Sequence, residues 1–310
     1  MTAAAKVLRV SAASLEFQNP VLLAAGTAAY GRELSGVMDL ESLGGIITKA
    51  VSPEPRHGAP APRVSDFDGG MINAVGLANP GVEAVRRDDI PWLEKNVRLP
   101  RVIVNVVGKV LEDFATVAEG LTSESRIDAF ELNVSCPNTK AGGMEFGADR
   151  ETLRVLIERA RAVTDKPLFV KLSPTLPAIA DTARTAVNAG ADGLTLVNTM
   201  PGLLIDIEKR MPALGFGTGG VSGPGLLPVG VLATWKVSRA VSVPIIGVGG
   251  IAKGADAIQY MMAGASLVAV GTAAMRDPRA PKRIIGEIES WCVKHGVNSM
   301  DEIRGSLQWQ

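Results

Sequence analysis

Residues 130–144 read FELNVSCPNTKAGGM, and the interpretation of the whole chain starts from this stretch. Its first half is short, apolar and bounded by residues that break regular structure, which predicts a buried β-strand. Pro137 cannot continue a helix, because its ring fixes φ and removes the N–H, so a turn follows the strand. The Gly142-Gly143 pair then predicts a mobile loop. The thiol of Cys136 is therefore expected just beyond the carboxyl end of a strand, where barrels and open α/β sheets keep their chemistry.

Two interpretations of Cys136 remain open at this point. A lone cysteine in a turn is often a buried structural residue. The alternative is a reactive thiol on a loop that closes over a substrate. Asn133 and Asn138 lie on either side of it and favour the second interpretation, because a purely structural turn does not need these polar residues. Cys136 is therefore a candidate catalytic residue.

Outward from this stretch, apolar strands alternate with amphipathic helical segments along nearly the whole chain. Uniformly apolar strands in this alternation are typical of a parallel sheet buried on both faces. Eight strand–helix units and the chain length favour a closed (β/α)8 TIM barrel, an α/β fold, over a doubly wound sheet. We predict strands at 21–25, 45–49, 102–107, 130–134, 167–172, 193–197, 244–248 and 267–270, and helices at about 32–40, 111–122, 149–164, 177–189, 226–240, 254–263 and 280–295.

Two long segments interrupt this alternation. Residues 51–81 are rich in proline and glycine, and residues 200–225 form a second excursion. Loops of this length inside a compact domain are usually functional. Residues from about 6 to 19 predict a short N-terminal hairpin that plugs one end of the barrel. No repeat, low-complexity segment or charge run marks a boundary, so residues 1–310 are expected to form a single domain.

The composition excludes several classes of function. The 310 residues include 32 basic and 32 acidic side chains, and the absence of net charge argues against nucleic acid or an anionic membrane as the main partner. Cys136 and Cys292 are the only cysteines, so neither a disulfide framework nor the four ligands of an iron–sulfur cluster can come from this chain alone. His57 and His295 lack metal-ligand spacing, and no metal site is expected. Because the N-terminus has no long apolar core, we expect no signal peptide or membrane anchor, and a cytoplasmic protein.

The last two predicted strands end in glycine. Residues 247–251 read GVGGI, and Gly271-Thr272 follows the next strand. In barrels, the loops after the seventh and eighth strands often bind a phosphate with backbone N–H groups and a helix N-terminus, and glycine permits the close approach. A tight strand–helix turn would give the same pattern, but the two glycine turns together favour phosphate binding. The context is not that of GxGxxG, so a Rossmann dinucleotide site is not supported.

Two lysines and several amides also fall at strand ends. Lys49 and Lys171 close their strands, where a lysine is rarely structural because its ammonium would otherwise be buried. Anion recognition, flavin electrostatics and a Schiff base are the functional alternatives, against snorkelling to solvent. Amides offer a donor and an acceptor and would suit a ring with alternating C=O and N–H groups, although each could instead cap a turn or helix. The polar residues of this set are Asn73, Asn79, Asn105, Asn133, Asn198 and Thr199.

Together these residues resemble the class 1 dihydroorotate dehydrogenases, and specifically the class 1B catalytic subunits. The resemblance implies a TIM-barrel domain with one FMN per chain that oxidises dihydroorotate to orotate in de novo pyrimidine biosynthesis. The matching stretches span nearly the whole chain in order: NPVLLAAGT, GGIITKAVSPEPRHGAPAPRV, GGMINAVGLANPGVE, ELNVSCPNTKAGGMEFG, FVKLSP, LVNT, TGGVSGP, PIIGVGGI and MAGASLVAVGTA.

The resemblance also implies roles for individual residues. Cys136 matches the base that removes the C5 proton while hydride leaves C6 for flavin N5. Lys171 matches a lysine beside the flavin N1/O2 edge, where a fixed cation stabilises developing charge, and Lys49 matches a lysine that touches both flavin and substrate. The implied flavin positions are Ala25, Gly26, Thr48, Lys49, Asn105, Asn133, Lys171, Val197, Gly223, Gly249, Gly250, Gly271 and Thr272. The implied substrate positions are Lys49, Asn73, Ala74, Val75, Gly76, Leu77, Asn133, Asn198 and Thr199.

The resemblance further implies a homodimer of this chain, joined by a partner subunit on each protomer to form a heterotetramer. FAD and a 2Fe–2S cluster, held only in the partner subunit, would pass the electrons to NAD⁺. Three positions depart from the family pattern, and they affect details of flavin and substrate contact: Ala25 replaces a usual serine, Ala78 a usual glutamine and Gly225 a usual alanine. A serine base would indicate the membrane-bound class 2, whereas this chain has Cys136.

Other functions remain open. A class 1A-type, fumarate-linked dihydroorotate dehydrogenase would share the barrel. A flavoenzyme of the dihydropyrimidine dehydrogenase kind shares the cysteine loop, but SCPN in place of SCPH and the EPR…PRV stretch speak against it. From another class, a phosphosugar aldolase or isomerase barrel would use Lys171 as a Schiff base. A barrel kept as a non-catalytic subunit is disfavoured by the intact set of cysteine, lysine and asparagine residues.

Overall fold

A closed barrel of eight parallel strands forms the centre of the molecule. The computed structural model describes residues 7–135, 137–138 and 144–309, with the backbone alone at 137, 138 and 144. The strands pair in chain order, and the eighth strand closes the barrel by pairing with the first. This arrangement confirms the predicted TIM barrel. The barrel strands are Val21–Leu23, Gly45–Ile47, Arg101–Val106, Ala129–Asn133, Leu168–Leu172, Gly193–Leu196, Ile245–Val248 and Leu267–Val270.

The barrel wall is buried on both faces, which explains its largely apolar sequence. Every residue of Leu168–Leu172, for example, is buried, including the charged Lys171. Burying one Val, Leu or Ile side chain stabilises a fold by about 1.5–3 kcal/mol, so the wall and the helices packed on it supply most of the stability. No helix of the described residues is both long and apolar enough to cross a bilayer. The α-helices are Val82–Ala84, Ile90–Asn96, Leu111–Leu121, Arg150–Arg161, Ile179–Asn188, Leu227–Ser238, Gly254–Met262, Thr272–Arg276, Ala280–His295 and Met300–Ile303.

The helix predicted at residues 32–40 is wrong. Two short 3-10 helices, Arg32–Leu34 and Leu40–Ser42, occupy this segment instead. Gly36 lies between them, and glycine in a helix interior is unfavourable because it loses the most conformational freedom. The first strand and the second are therefore joined without a regular helix.

A helical segment after the second strand was not predicted. It follows Gly81 and runs through Val82–Ala84, a π-helical turn at Val85–Asp89, and Ile90–Asn96. Pro91 lies in the first turn of the last piece, where its missing N–H is tolerated. The proline and the irregular turn hide the helical pattern in the sequence.

The two long excursions are ordered, so the interpretation of 51–81 and 200–225 as loops needs correction. They share a four-stranded antiparallel sheet with the strand order Met200–Gly202, Gly219–Ser222, Gly70–Asn73 and Val64–Phe67. We call it the mouth sheet, because it covers the carboxyl ends of the barrel strands. Two further antiparallel pairs join Ile205–Asp206 to Met211–Pro212, and Pro137–Asn138 to Met144–Glu145.

The predicted N-terminal hairpin is confirmed. Val10–Ala12 pairs with Leu15–Phe17, and the intervening Ala13 and Ser14 adopt positive φ values of 49° and 63°. Such values at both central positions are those of a two-residue hairpin turn. The carbonyl of Glu16 accepts a hydrogen bond from Arg101 Nε at 2.8 Å. Since Arg101 begins the third barrel strand, the hairpin closes the amino-terminal end of the barrel, opposite the mouth sheet.

Candidate active site

A cavity of about 1060 Å³ lies between the carboxyl ends of the barrel strands and the mouth sheet. Ligand sites commonly measure roughly 300–1,000 Å³, so this cavity can hold a cofactor and a small substrate together. Most of the residues predicted from the sequence line it, although they are scattered along the chain. They are Ala25, Gly26, Lys49, Asn73, Ala74, Val75, Gly76, Leu77, Asn105, Asn133, Lys171, Val197, Asn198, Thr199, Gly223, Gly249, Gly250, Gly271 and Thr272.

Three predicted residues stand apart from this set. Cys136 lies outside the described residues. Thr48 does not line the cavity; its buried hydroxyl donates to the carbonyl of Lys49 at 2.9 Å and accepts from the N–H of Asn105 at 3.3 Å. The amide of Asn79 is used in a turn, where its Oδ1 accepts from the N–H of Gly81 at 2.9 Å. Thr48 and Asn79 therefore support neighbouring backbone.

Beneath the cavity lies Glu131, a buried carboxylate to which the sequence analysis assigned no role. Its Oε1 accepts a hydrogen bond from Asn105 Nδ2, and its Oε2 accepts one from Thr195 Oγ1, both at 2.7 Å. The Lys171 ammonium lies 3.9 Å from Oε1. The sequence signal for such a residue was a glutamate inside an otherwise apolar strand. Because an unpaired buried carboxylate is very costly, a glutamate there must have partners in the fold.

Asparagine side chains from three elements meet at the side of the cavity near Lys171. Asn198 Nδ2 donates to Asn133 Oδ1 at 3.2 Å, and Asn198 Oδ1 accepts from the N–H of Thr199 at 2.8 Å. On the mouth sheet, Asn73 Nδ2 donates to the carbonyl of Gly220 at 3.3 Å. Within the described residues, Asn133 Nδ2 and Asn73 Oδ1 make no hydrogen bond. Among the described residues, an amide NH2 group and an amide oxygen are thus left for a ligand with C=O and N–H groups.

The seventh and eighth strands contribute backbone rather than side chains. Gly249 and Gly250 have φ values of 123° and 74°. A Cβ at Gly250 would lie 2.4 Å from the backbone nitrogen of Leu227, so only glycine fits there. The buried hydroxyl of Tyr260 donates to the carbonyls of Val248 at 3.1 Å and Gly249 at 2.8 Å. Because C=O and N–H point in opposite directions in a trans peptide, the N–H of Gly250 is directed away from Tyr260.

At the helix after the seventh strand, carboxylates occupy N–H groups at and just before the first turn. Asp256 Oδ2 accepts from the N–H groups of Ala252 at 3.0 Å and Lys253 at 3.1 Å, and Glu287 accepts from that of Gly254. These carboxylates occupy N–H groups that could otherwise be presented to an anion. The glycine turns and the start of the helix Thr272–Arg276, which also lines the cavity, remain as groups for an anion at this end.

The residues present fit a phosphorylated aromatic cofactor. The glycine turns can receive a phosphate, and Lys171 supplies a cation on the cavity wall beside Asn133. Two buried atoms on the cavity wall, Ser135 Oγ and Arg56 Nη1, have no hydrogen-bond partner among the described residues. An unsatisfied buried polar group costs about 1–3 kcal/mol, so a bound polar ligand would remove that cost.

Glu145 is a cavity carboxylate with an altered proton affinity. Burial raises its pKa, and a hydrogen bond with Ser173 partly opposes this effect. Glu145 belongs to the strand pair that flanks residues 139–143, so it lies at the edge of the predicted catalytic loop. Its ionisation therefore costs free energy in the folded chain.

The chain is similar in sequence to known proteins along nearly its whole length. A family model described as "Dihydroorotate dehydrogenase" matches residues 7–291. A protein of Geobacter sp. (strain M21) is 42% identical over 301 residues, which are 97% of this chain and 98% of that protein. A protein of Geotalea daltonii is 44% identical over the same shares, and one of Alkaliphilus metalliredigens 43% identical over 300 residues. All three are named "Dihydroorotate dehydrogenase B (NAD(+)), catalytic subunit".

Proposed function

This chain belongs to the dihydroorotate dehydrogenase family, and on that premise we propose that it is the catalytic subunit of an NAD-linked enzyme that oxidises dihydroorotate to orotate in pyrimidine biosynthesis. The observation that carries the proposal is the meeting of two lysines, an asparagine cluster and two glycine turns in one cavity. The asparagine amides match the alternating C=O and N–H groups of a dihydropyrimidine ring, and the glycine turns match a phosphate.

The cofactor that fits this cavity is FMN, one per chain, bound without a covalent link. Gly249, Gly250 and the Gly271-Thr272 turn would hold its phosphate through backbone N–H groups, and Lys171 would lie beside the edge of its ring. When bound, FMN supplies the acceptor for the hydride that leaves C6 of dihydroorotate. A positive charge fixed beside that edge lowers the barrier without rearrangement during the reaction.

The remaining chemistry belongs to the side chains. We assign removal of the C5 proton to Cys136, because a thiolate is a competent base near neutral pH. Lys49 and the amides of Asn73, Asn133 and Asn198 orient the substrate ring, and this positioning reduces the entropic part of the barrier. The mouth sheet forms one wall of the cavity, and displacement of water by the bound ligands strengthens each of these electrostatic contacts.

The electrons then pass to a separate electron-transfer subunit. The names of the relatives support this, because each is called a catalytic subunit of an NAD⁺-linked enzyme. The two cysteines of this chain are too few for a 2Fe–2S cluster, and the glycine turns lack the context of a dinucleotide site. We propose that FAD and the cluster reside in the partner subunit, and that a homodimer of this chain binds two such partners as a heterotetramer.

An aldolase-type barrel is disfavoured by the surroundings of Lys171. A Schiff base forms through a neutral amine, whereas Lys171 is ion-paired with the Glu131 carboxylate at 3.9 Å. The class 1A alternative differs only in the electron acceptor, so it is separated by assay.

The cofactor and the reaction are tested together on the purified chain. Acid denaturation should release FMN, and the native chain should form orotate from dihydroorotate with an artificial dye as acceptor. Release of FAD contradicts the proposed cofactor, and a colourless protein without orotate formation contradicts the proposed function.

The electron acceptor is tested with fumarate, quinone and NAD⁺, each with and without the partner subunit. We expect rapid reduction of NAD⁺ only when the partner is present. Rapid fumarate reduction by the chain alone would instead place it with the class 1A enzymes.

A further inference from the structure

We propose that Glu131 is a positioning residue for the floor of the cavity: its carboxylate holds the Lys171 ammonium in place and sets the orientation of the Asn105 amide. Glu131 does not itself line the cavity, whereas Lys171 and Asn105 both do. It therefore acts on a bound ligand through these two neighbours. What the proposal says about the flavin rests on the proposed function, but its structural part does not.

The burial of this pair makes each charge depend on the other. The side chain of Glu131 is 0% exposed and that of Lys171 is 8% exposed. An ionised group without water must find partners inside the protein, and removal of one member of a buried pair leaves an uncompensated charge. Asn105 and Thr195 satisfy the two carboxylate oxygens by hydrogen bonds, but both are neutral. Among the described residues, Lys171 alone forms an ion pair with Glu131.

Strand register explains why the carboxylate lies below the ammonium. Lys171 is the register partner of Asn133 on one side and of Thr195 on the other. Glu131 precedes Asn133 by two residues on the same strand, so its side chain points to the same face, one step further into the barrel. The ammonium is thus held from beneath, with the cavity above it.

The same carboxylate fixes the Asn105 amide. An ionised carboxylate only accepts hydrogen bonds, so the amide must present Nδ2 to Glu131, and the position of Oδ1 follows. The backbone N–H of Asn105 is also held, by Thr48 Oγ1 at 3.3 Å. Asn105 consequently reaches the cavity in one orientation rather than two.

The structural part is tested by a double-variant cycle in thermal unfolding of the flavin-free chain. Glu131→Gln keeps the shape but removes the charge and replaces one accepting oxygen with an NH2 donor, and we expect Tm to fall by about 5–10 °C. Adding Lys171→Met removes the stranded ammonium, so the double variant should melt above Glu131→Gln. If Glu131→Gln gives no folded protein, the same comparison is made on the yield of folded chain. A double variant no more stable than Glu131→Gln overturns the proposal.

The link to the cofactor is tested by the midpoint potential of bound FMN. Lys171→Met should lower this potential in the wild-type background, because a cation beside the ring is lost. If Glu131 holds that cation in place, the same substitution should change the potential by less than half as much in the Glu131→Gln background. Equal changes in both backgrounds mean that Glu131 does not act through Lys171, and they overturn the proposal.

Asp128→Asn is the matched control. Asp128 is an ion-paired carboxylate at the opposite end of the barrel, with Arg101 at 2.8 Å and Arg126 at 2.9 Å. Asp128→Asn should lower Tm, and adding Lys171→Met should not restore it. Asp128→Asn should also leave unchanged the effect of Lys171→Met on the midpoint potential of bound FMN. A chain that binds no flavin would contradict the proposed function, while the unfolding cycle would still decide the role of Glu131.

Discussion

The two sides of the cavity present different kinds of chemical group. The side built by the seventh and eighth strands presents backbone, at Gly249, Gly250 and Gly271, whereas the side around the fourth to sixth strands presents Lys171 and the asparagine side chains. The first depends on the absence of side-chain atoms and the second on their charge and hydrogen-bonding groups. An added methyl group should therefore impair ligand binding on the backbone side. On the side-chain side, binding or turnover should be impaired by the loss of a functional group without a change of volume.

Each side also has a buried support behind it. Tyr260 fixes the carbonyls of Val248 and Gly249 on the backbone side. Glu131 fixes Lys171 and Asn105 on the side-chain side. Both supports are fully buried, so they can act on a ligand only through the residues they hold.

The largest effect is expected from Cys136→Ala. General-base catalysis typically contributes about 10²–10⁴-fold, so turnover near neutral pH should fall by that factor. FMN content and orotate binding should be retained, because both depend on other residues. Steady-state assay and an orotate titration of the flavin spectrum measure the two separately.

Cys136→Ser serves as the conservative variant. An alcohol is much harder to deprotonate than a thiol, so this variant should recover activity only at high pH. Near wild-type turnover in Cys136→Ala would remove Cys136 from the role of base.

On the backbone side, Gly250→Ala should weaken FMN binding. The new Cβ would lie 2.4 Å from the backbone of Leu227, and a positive φ of 74° is unfavourable for alanine. Strain of this kind costs about 1–3 kcal/mol, which corresponds to a rise of roughly 10–100-fold in the FMN dissociation constant. Fluorescence titration of the flavin-free chain measures it.

Gly225→Ala is the control for that substitution. Its Cβ would meet no atom within 4 Å, and Gly225 does not have a positive φ. FMN affinity should change far less than in Gly250→Ala, and stability should rise slightly through the reduced freedom of the unfolded chain. Equal loss of FMN affinity in both variants would show that binding does not depend on the close packing of Gly250.

A smaller effect on the same side is expected from Tyr260→Phe. The lost hydroxyl frees the carbonyl of Gly249, so the N–H of Gly250 is held less firmly, and FMN affinity should fall by about 3–10-fold, as for the loss of one hydrogen bond. Tyr30→Phe is the control, because the hydroxyl of Tyr30 donates at 3.1 Å to the carbonyl of Ala50, away from the glycine turns. An equal decrease of FMN affinity in both variants would exclude a specific support by Tyr260.

The smallest effect is a pH dependence of stability that comes from Glu145, a residue of the cavity wall. Burial raises the pKa of Glu145, so the folded chain becomes less stable as pH rises from the ordinary range of a glutamate through this raised value. Glu145→Gln should therefore be more stable than the wild type above that window, and the difference should vanish at acidic pH. Thermal unfolding across this pH range measures it.

Glu151→Gln is the comparison variant, because its effect on stability should have the opposite sign. Glu151 is fully exposed, and its hydrogen bond with Arg154 lowers its pKa. This variant should be slightly less stable than the wild type at neutral pH, with the difference lost as pH falls. If Glu145→Gln, like Glu151→Gln, were less stable than the wild type at neutral pH, the result would contradict the burial of Glu145.

The barrel was predictable because its signals are local. Apolar strands such as Leu168–Leu172 and their following helices each occupy a short window, and parallel topology then brings the strand ends together. This is why Lys49, Lys171 and the glycine turns could be placed at one cavity from the sequence. The family resemblance added their individual roles.

What escaped prediction depends on contacts between distant segments. The mouth sheet joins Asn73 to Gly220, which are 147 residues apart. Glu131 finds Asn105 26 residues earlier and Thr195 64 residues later. No single window of sequence contains both members of such a pair, so their residue types alone did not reveal them. Gly36, by contrast, was a local signal against the helix at 32–40 that the apolar pattern outweighed.

The central claim is that this chain oxidises dihydroorotate with its own FMN but needs a partner to reach NAD⁺. Anaerobic rapid mixing of the purified chain with dihydroorotate and NAD⁺ tests it directly, with the flavin and NADH absorbance followed together. The account predicts rapid bleaching of the flavin with one orotate formed per FMN, and no comparably fast formation of NADH until the partner subunit is added. Orotate formation without bleaching, or rapid stoichiometric NADH formation by the chain alone, would contradict it.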